Sequence, residues 1–166
     1  PVLYVRGSLP TPDRLLIAVV GTRRPTAYGR QATAEIVDGL VEAGVVTVSG
    51  LARGIDTMVH RNTLERGGGT VAVLAGGLDA VYPAENLSLA RHILEGGALV
   101  SEHPPGVKLR RENFLRRNRI MSGLSRGTLV IEAGEHSGAL ATARNALDQN
   151  RDVFAVPGSA FSPESR

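Results

Sequence analysis

The sequence predicts an α/β fold: a doubly wound, mostly parallel sheet with helices on both faces, in a single domain. Short apolar runs rich in β-branched residues recur along the 166 residues and are bounded by glycine. Because these runs are continuous rather than alternating, they suit strands that are buried on both faces. Segments with helical spacing lie between them, and no repeat or interdomain linker interrupts the alternation.

The strands are expected at the apolar runs. The four strongest runs are Leu15–Val20, Val45–Val48, Thr70–Ala75 and Thr128–Ala133, and the two weaker ones are Ala98–Ser101 and Asp152–Val156. Val2–Val5 could add an edge strand in front of them.

The helices are expected between these strands, where start and stop residues frame each segment. The first carries an apolar stripe through Ile36, Val37, Leu40 and Val41, and Gly44 is a plausible stop. Asp56, Asn86 and Ser137 are expected to cap three others, and a further helix is expected over Glu112–Ser125.

Composition excludes several classes of function. The chain has no cysteine, which excludes a disulfide framework, a thiolate nucleophile and a Cys-ligated metal. Its four histidines are spread over separate segments, so neither a zinc site nor any other metal or cofactor is expected. No apolar run approaches the roughly 18 residues of a membrane span. The net charge of +3 is modest, so the placement of charge is more informative than its total.

The segments that follow the strands carry most of the candidate ligand-binding residues. They combine glycine and serine with arginine, for example in Val20–Arg24 and Ser49–Asp56. Because ligands of open parallel sheets bind beyond the carboxyl ends of the strands, this composition indicates a phosphate site. Neither a dinucleotide fingerprint nor a Walker motif is present. Glu102 and Glu132 could form an acid/base pair, although a role in capping helices or pairing with arginines is favoured.

Lys108–Arg126 is the most basic stretch, with seven basic residues and one acidic residue around Phe114. On a helix, Arg116, Arg117 and Arg119 are expected to face solvent or ligand while the apolar side chains turn inward. One interpretation is an ordinary solvated amphipathic helix. The excess of one charge sign instead favours single-stranded nucleic acid, with a base stacked on the ring and phosphates on the arginines.

This basic run is expected to lie near Arg23, Arg24 and Arg53, if it precedes Thr128–Ala133 in the same sheet. Together they would form one groove with a glycine floor and arginine walls. About 4–6 phosphate contacts would give a slope of log K against log salt of roughly −3 to −4, with weak sequence preference.

Eight ordered motifs resemble the Rossmann-like core of the DNA-processing protein A (DprA, also called Smf) family. They are "YVRG" (Tyr4–Gly7), "VGTR" with "YGR" (Val20–Arg23, Tyr28–Arg30), "SGLARGID" (Ser49–Asp56), "TVAVLAGGLDAVYPAEN" (Thr70–Asn86), "SEHPPG" (Ser101–Gly106), "NFLRRNRIMSGLS" (Asn113–Ser125), "EAGEHSGALATA" (Glu132–Ala143) and "VFAVPGS" (Val153–Ser159).

The resemblance implies a non-enzymatic, cytoplasmic homodimer that binds incoming single-stranded DNA during natural transformation, protects it and loads the recombinase RecA. It also implies the site residues. They are Arg23 and Arg111 in a basic pocket, Phe114 as the stacking ring, the loop with Ser49, Gly50 and Arg53, and the triplet Arg117, Asn118 and Arg119.

The sequence departs from the family pattern in two ways. Leu115 stands where the family usually has proline, and the family core normally continues beyond Arg166. Residues 1–166 are therefore expected to be one DNA-binding domain of a longer chain, cut at its C-terminus. If the missing residues support dimerisation, the dimer and the RecA contact of this chain are both in doubt.

Two other classes of function remain open. One is a Rossmann enzyme that binds or hydrolyses a nucleotide at the glycine-rich strand ends, although the external arginines argue against it. The other is a pure protein-interaction module, which would leave the glycine-rich strand ends unexplained.

Overall fold

A seven-stranded sheet forms the centre of the molecule in the computed structural model, which describes residues 2–135 and 137–158. The strands are β1 (Tyr4–Gly7), β2 (Leu16–Val20), β3 (Val46–Ser49), β4 (Thr70–Leu74), β5 (Ala98–Ser101), β6 (Gly127–Val130) and β7 (Asp152–Ala155). Their spatial order is β1-β5-β4-β3-β2-β6-β7. The pairs within β2–β7 are parallel, and β1 pairs antiparallel with β5 at one edge. His136 and Ser159, which belong to two of the motifs, lie outside the described residues.

Five α-helices cover the two faces of the sheet: α1 (Ala27–Glu42), α2 (Ile55–Glu65), α3 (Leu87–Ile93), α4 (Arg111–Leu124) and α5 (Gly138–Asp148). Successive side chains of a strand point to opposite faces, which separates the core into layers. In β2, Val20 packs in the cluster that contains Met121 of α4. Its neighbour Val19 packs in the cluster that contains Val37 of α1 and Val59 of α2. The predicted doubly wound α/β fold is confirmed.

The strand order places a topological switch point at β2. From β2 the chain runs outward through β3 and β4 to β5, and α4 then returns it to β6 on the other side of β2. The connections that leave the carboxyl ends of β2 and β6 therefore diverge, and a crevice opens between them. This crevice is where an open α/β sheet binds its ligands.

The element boundaries differ from the predicted ones in a few informative places. The edge strand forms at Tyr4–Gly7 rather than Val2–Val5. Asp56 does not cap α2: it lies inside the first turn and is buried, while Gly54, with a φ of 78°, holds the capping position. Asn86 precedes α3, but its side-chain amide donates to Leu51 O instead of capping the helix.

Two expected helix ends are confirmed. Ser137 caps α5, since its Oγ accepts a hydrogen bond from the Ala139 N–H. Gly44 follows the end of α1 with a φ of 73°, the left-handed conformation that glycine adopts most easily.

Within residues 2–135 and 137–158, no helix combines the length and the apolar character needed to cross a membrane. In the same part of the chain, no three His, Cys, Asp or Glu side chains lie close enough together to hold a metal ion.

Candidate nucleic-acid interface

Phe114 lies in the first turn of α4 at the mouth of the crevice. The Cζ of Arg23, from the loop after β2, lies 5.5 Å from the ring centroid, within range of a cation–π contact. The ring of Tyr82 meets Phe114 edge to face, with centroids 5.7 Å apart and planes at 71°. Phe114 is half-buried and Tyr82 is half exposed, so aromatic surface remains available to a planar ligand.

An outer cleft of about 900 Å³ runs past this ring between α4 and α5. Four exposed arginines line it: Arg23, Arg110, Arg111 and Arg144. Among the described residues, Arg110 alone of the four has an ion-pair partner, Glu112 at 3.8 Å, and both of these side chains are largely exposed. Exposed pairs of this kind contribute little free energy and exchange readily, so the cleft offers its positive charge to a polyanion.

An inner cleft of about 440 Å³ continues from the outer one toward the carboxyl ends of β2 and β6. The loop after β2 and the N-terminus of α5 form its walls, and Phe114 lines both clefts. Arg117 and Asp56 line its buried end. The strand order predicts a crevice at this position. The inner and outer clefts occupy it, and the ring of Phe114 lies where they meet.

Arg117 was expected to face solvent or ligand, but it is only 6% exposed and reaches only the inner cleft. Its Nη1 donates to Gly50 O at 2.6 Å and to Val73 O at 2.5 Å, and its Nε donates to Asn118 Oδ1 at 3.2 Å. Gly50 directly follows β3 and Val73 lies in β4, so Arg117 ties α4 to the sheet. A Cβ at Gly50 would lie 2.2 Å from Nη1, so a glycine at this position leaves room for the guanidinium.

Burial also governs the ionisation of the two charged groups at this end of the inner cleft. Loss of solvent raises the pKa of Asp56, and the nearby Arg117 charge opposes that rise. Loss of solvent lowers the pKa of Arg117, and the Asp56 charge opposes that fall. Each group thus supports the charged form of the other in a region from which water is largely excluded.

Ser49 and Asn118 are buried and also bind the protein itself. Ser49 is fully buried in β3, and its Oγ donates to Val19 O of the adjacent strand at 2.7 Å. Asn118 Nδ2 donates to Gly138 O at 3.1 Å and so joins α4 to the start of α5. Packing of strand and helix encloses Ser49, whereas Asn118 is 5% exposed and lines the inner cleft.

Arg53 and Arg119 are accessible but paired. Arg53 donates twice to Glu85, each time at 3.0 Å, with both side chains more than half exposed. Arg119 pairs with Glu102, whose carboxylate is partly buried. Neither arginine lines the inner or the outer cleft. The sequence interpretation that Glu102 restrains an arginine agrees with this contact.

Glu132 supports the loop that carries Arg23. Its carboxylate accepts from the Thr26 N–H at 3.1 Å and from Thr26 Oγ1 at 2.9 Å, at the N-terminus of α1. Thr26 in turn caps the helix by accepting from the Gly29 N–H. Glu132 therefore has the capping role that the sequence analysis favoured, rather than a role in an acid/base pair with Glu102.

Tyr82 and Arg144 are interface residues that the sequence analysis missed. Tyr82 lies in the loop between β4 and α3, where no candidate site residue was expected. Arg144 lies seven residues after Ser137 on α5, and Leu140 and Ala141 between them line the same cleft. That i, i+3, i+4, i+7 spacing defines one helix face and could have identified Arg144.

Comparisons with known proteins agree with this architecture. The sequence profile of the family described as DNA recombination-mediator protein A matches residues 1–166. The DNA processing protein DprA of Bacillus subtilis is 47% identical over 163 residues, which are 98% of this chain and 55% of that protein. The chain thus spans about half the length of this curated relative.

Two solved structures share the fold at high similarity. The X-ray structure of DprA from Streptococcus pneumoniae superposes with a TM-score of 0.92 at 41% identity, over 98% of this chain and 57% of that one. A Helicobacter pylori DprA structure, described as giving insight into its unique single-stranded DNA binding mode, has a TM-score of 0.88 at 32% identity and covers 98% of this chain and 75% of that one. The chain belongs to the DNA recombination-mediator protein A family, whose members carry the names DprA and Smf.

Proposed function

We propose that this chain binds single-stranded DNA along the outer cleft, with one base stacked on Phe114. The observation that carries the proposal is the partly exposed ring among four exposed arginines at the switch point of the sheet. The description of the Helicobacter pylori relative as a single-stranded DNA-binding protein supports it.

The roles of the residues follow from their exposure. Arg23, Arg110, Arg111 and Arg144 are available to phosphates, and Arg23 also extends the stacking surface through its contact with Phe114. Tyr82 holds the ring edge-on and offers a second aromatic surface. Four residues that were expected at the site support its shape instead. Arg117, Asn118 and Gly50 do so from beneath the outer cleft, and Ser49 does so from within the sheet.

A single strand fits this surface better than a duplex. Stacking on Phe114 requires a base whose face is free, and in a duplex both faces are covered by neighbouring base pairs. The contacts in the cleft come from arginines and rings rather than from a helix or ribbon shaped for the major groove. We therefore propose weak sequence preference and a clear preference for single strands.

The wider role of the chain follows from the family and stays a proposal. We infer that the bound strand is protected and passed to the recombinase RecA, that the protein acts as a cytoplasmic homodimer, and that DNA handling rather than catalysis is its activity. The capping contact of Glu132 supports the last point, because that carboxylate is occupied in holding α1.

Fluorescence anisotropy with an internally labelled oligonucleotide of about 20 bases, single-stranded and duplex, tests the proposal. Four exposed arginines give an expected slope of log K against log salt of about −3 for the single strand, or roughly 50-fold weaker binding at 200 mM than at 50 mM salt. Arg23→Ala with Arg111→Ala should lower the magnitude of that slope by about 1.4.

Arg66→Ala is the matched control, because Arg66 is half exposed and pairs with Asp38 of α1 on the opposite face of the sheet. It removes one positive charge, as each of the two cleft substitutions does, and should leave the slope unchanged. An equal loss of slope in Arg66→Ala and in the cleft variants, or equal affinity for duplex and single strand, would contradict the proposal.

A further inference from the structure

Two connections that lead away from the sheet form one side of the outer cleft. The β4 loop, residues 76–83, follows β4 and carries Tyr82, and the β5 segment, residues 102–110, leads from β5 into α4. Tyr82 lines the outer cleft, and so do Leu109 and Arg110 at the end of the β5 segment. The position of the two connections relative to each other therefore sets part of the shape of the cleft.

The glycine pair of the β4 loop gives the β5 segment room to lie against it. A Cβ at Gly77 would lie 2.7 Å from Pro104 O and would clash with Asp79 Oδ1. A Cβ at Gly76 would lie 3.3 Å from Cδ1 of Leu109. Neither glycine has a positive φ, so close packing, rather than backbone conformation, accounts for both of them.

Hydrogen bonds join the β5 segment to the β4 loop at two places. Near the end of β5, Ser101 Oγ donates to Gly76 O at 2.6 Å and accepts from the His103 N–H at 3.0 Å. Further along the segment, the Gly106 N–H donates to Asp79 Oδ2 at 2.9 Å. Ser101 is fully buried, whereas Asp79 and Gly106 are exposed. The contact of Asp79 can therefore be removed without a change in the core.

Attraction of DNA does not account for Asp79. It lies three residues before Tyr82, and its negative charge opposes the approach of a polyanion to a cleft with four exposed arginines. In the part of the chain that the structure describes, no Lys, Arg or His side chain pairs with it within 4 Å. The contact that the structure gives this carboxylate is the hydrogen bond to the β5 segment.

We propose that Asp79 is a positioning residue of the DNA interface. Its hydrogen bond to the Gly106 N–H holds the β5 segment, and with it Arg110 and Arg111, in a fixed position relative to Tyr82. Gly106 permits the contact because its φ of 83° is a conformation that other residues rarely adopt. An interface that is already ordered loses less conformational entropy when a strand binds. The effect on DNA rests on the proposed function, whereas the contact exists in the free protein.

Two substitutions of Asp79 separate the effect of position from the effect of charge. Both Asp79→Ala and Asp79→Asn remove the negative charge, but the amide oxygen of asparagine can still accept from the Gly106 N–H. Asp79→Ala should weaken binding of a 20-base single strand about fivefold in anisotropy titrations, and Asp79→Asn should stay within about twofold of the wild type. Stronger binding by both variants, or equal affinity of all three proteins, would overturn the inference.

Asp13→Ala is the matched control, because Asp13 is an exposed carboxylate in the loop before β2, at the amino ends of the strands. It removes one negative charge, as Asp79→Ala does, and should leave DNA binding unchanged. Weakening equal to that of Asp79→Ala would overturn the inference. Thermal unfolding of all three variants checks that each is folded.

Amide hydrogen exchange, followed by NMR, tests the contact without DNA. The Gly106 N–H should exchange about fivefold faster in Asp79→Ala than in the wild type, and at nearly the wild-type rate in Asp79→Asn. Unchanged exchange in Asp79→Ala would overturn the inference, and so would faster exchange with no loss of DNA affinity. Failure of the wild type to bind the oligonucleotide would count against the proposed function alone, since exchange of Gly106 still decides whether Asp79 holds the β5 segment.

Discussion

Phe114 is the residue on which the proposed DNA interface depends most. Stacking of a base on an aromatic ring is worth about 1–3 kcal/mol, so Phe114→Ala should weaken binding of single-stranded DNA by roughly 5- to 150-fold. The salt slope should stay unchanged, because no charge is removed. Anisotropy titrations at two salt concentrations measure both quantities.

Phe154→Ala is the matched control, since Phe154 is 53% exposed on the edge strand β7 and lines neither cleft. It removes an exposed phenyl ring outside the interface and should bind DNA as the wild type does. Equal weakening by the two substitutions would show that Phe114 acts through general hydrophobicity rather than through stacking.

His60 gives the fold a predictable sensitivity to acid. Burial, with the nearby Arg117 charge, lowers the pKa of His60 to about 3, and its Nδ1 lies 2.8 Å from Thr70 Oγ1. The unfolded chain takes up a proton near pH 6.5 and the folded chain does so only near pH 3, so falling pH favours unfolding across that window. The stabilisation by neutral His60 is complete above pH 6.5.

The contribution of His60 between pH 7 and pH 5 should be about 2 kcal/mol of unfolding free energy. His60→Gln, although less stable at pH 7, should therefore lose about 2 kcal/mol less than the wild type over that interval. Urea unfolding at pH 7, 6 and 5 measures the difference. Parallel pH profiles for the two proteins would contradict the assignment of a neutral buried imidazole.

At the scale of the element, α1 and the loop before it depend on Glu132. Removal of the contacts to Thr26 in Glu132→Ala should cost about 1 kcal/mol of stability and loosen the loop that holds Arg23. DNA binding should weaken although a negative charge has been removed. Chemical unfolding and anisotropy measure the two effects.

Glu135→Ala separates the effect of removing a negative charge from the effect of losing a contact that caps α1. Glu135 lines both clefts, so its removal should strengthen DNA binding slightly and leave stability nearly unchanged. Stronger binding by Glu132→Ala, to the same extent as by Glu135→Ala, would show that Glu132 acts only as a charge and not as a support for α1.

The elements of this fold were largely predictable from local patterns. Continuous apolar runs between glycines place β2 to β7 within one to three residues, because burial on both faces leaves little else that such runs can form. The α2 start was missed since Asp56, a typical capping residue, is instead drawn into the buried region near Arg117. Tertiary electrostatics overrode the local signal there.

The site was predictable only in part, since exposure depends on packing across elements. Helical spacing predicts that Arg116, Arg117 and Arg119 share a solvent-facing side of the helix. Arg117 instead points toward the sheet, because its guanidinium donates hydrogen bonds to the carbonyl oxygens of Gly50 and Val73. Likewise the partners of Arg53 and Arg119 come from loops after other strands, which no local window contains. Arg23, Arg111 and Phe114 line one cleft, as the resemblance to the DprA family implied.

At the scale of the whole molecule, the residues that support the interface and the residues that are proposed to contact DNA lie in different layers. The carboxyl ends of β2, β3 and β4 carry a buried polar layer, in which Ser49, Asp56 and Arg117 are held by one another and by backbone groups. Above it, the outer cleft presents four exposed arginines, of which only Arg110 has an ion-pair partner among the described residues. A net charge of only +3 is therefore compatible with a strongly basic surface on one side of the sheet.

The placement of the strand in the outer cleft is the central claim, and photocrosslinking tests it most directly. A single-stranded oligonucleotide that carries 5-iododeoxyuridine is irradiated with the protein, and the crosslinked peptides are identified by mass spectrometry. The account predicts crosslinks at Phe114 or Tyr82, and their loss when an excess of unlabelled single strand but not of duplex is added. Crosslinks confined to residues of α1, α2 or α3, on the opposite face of the sheet, would contradict it.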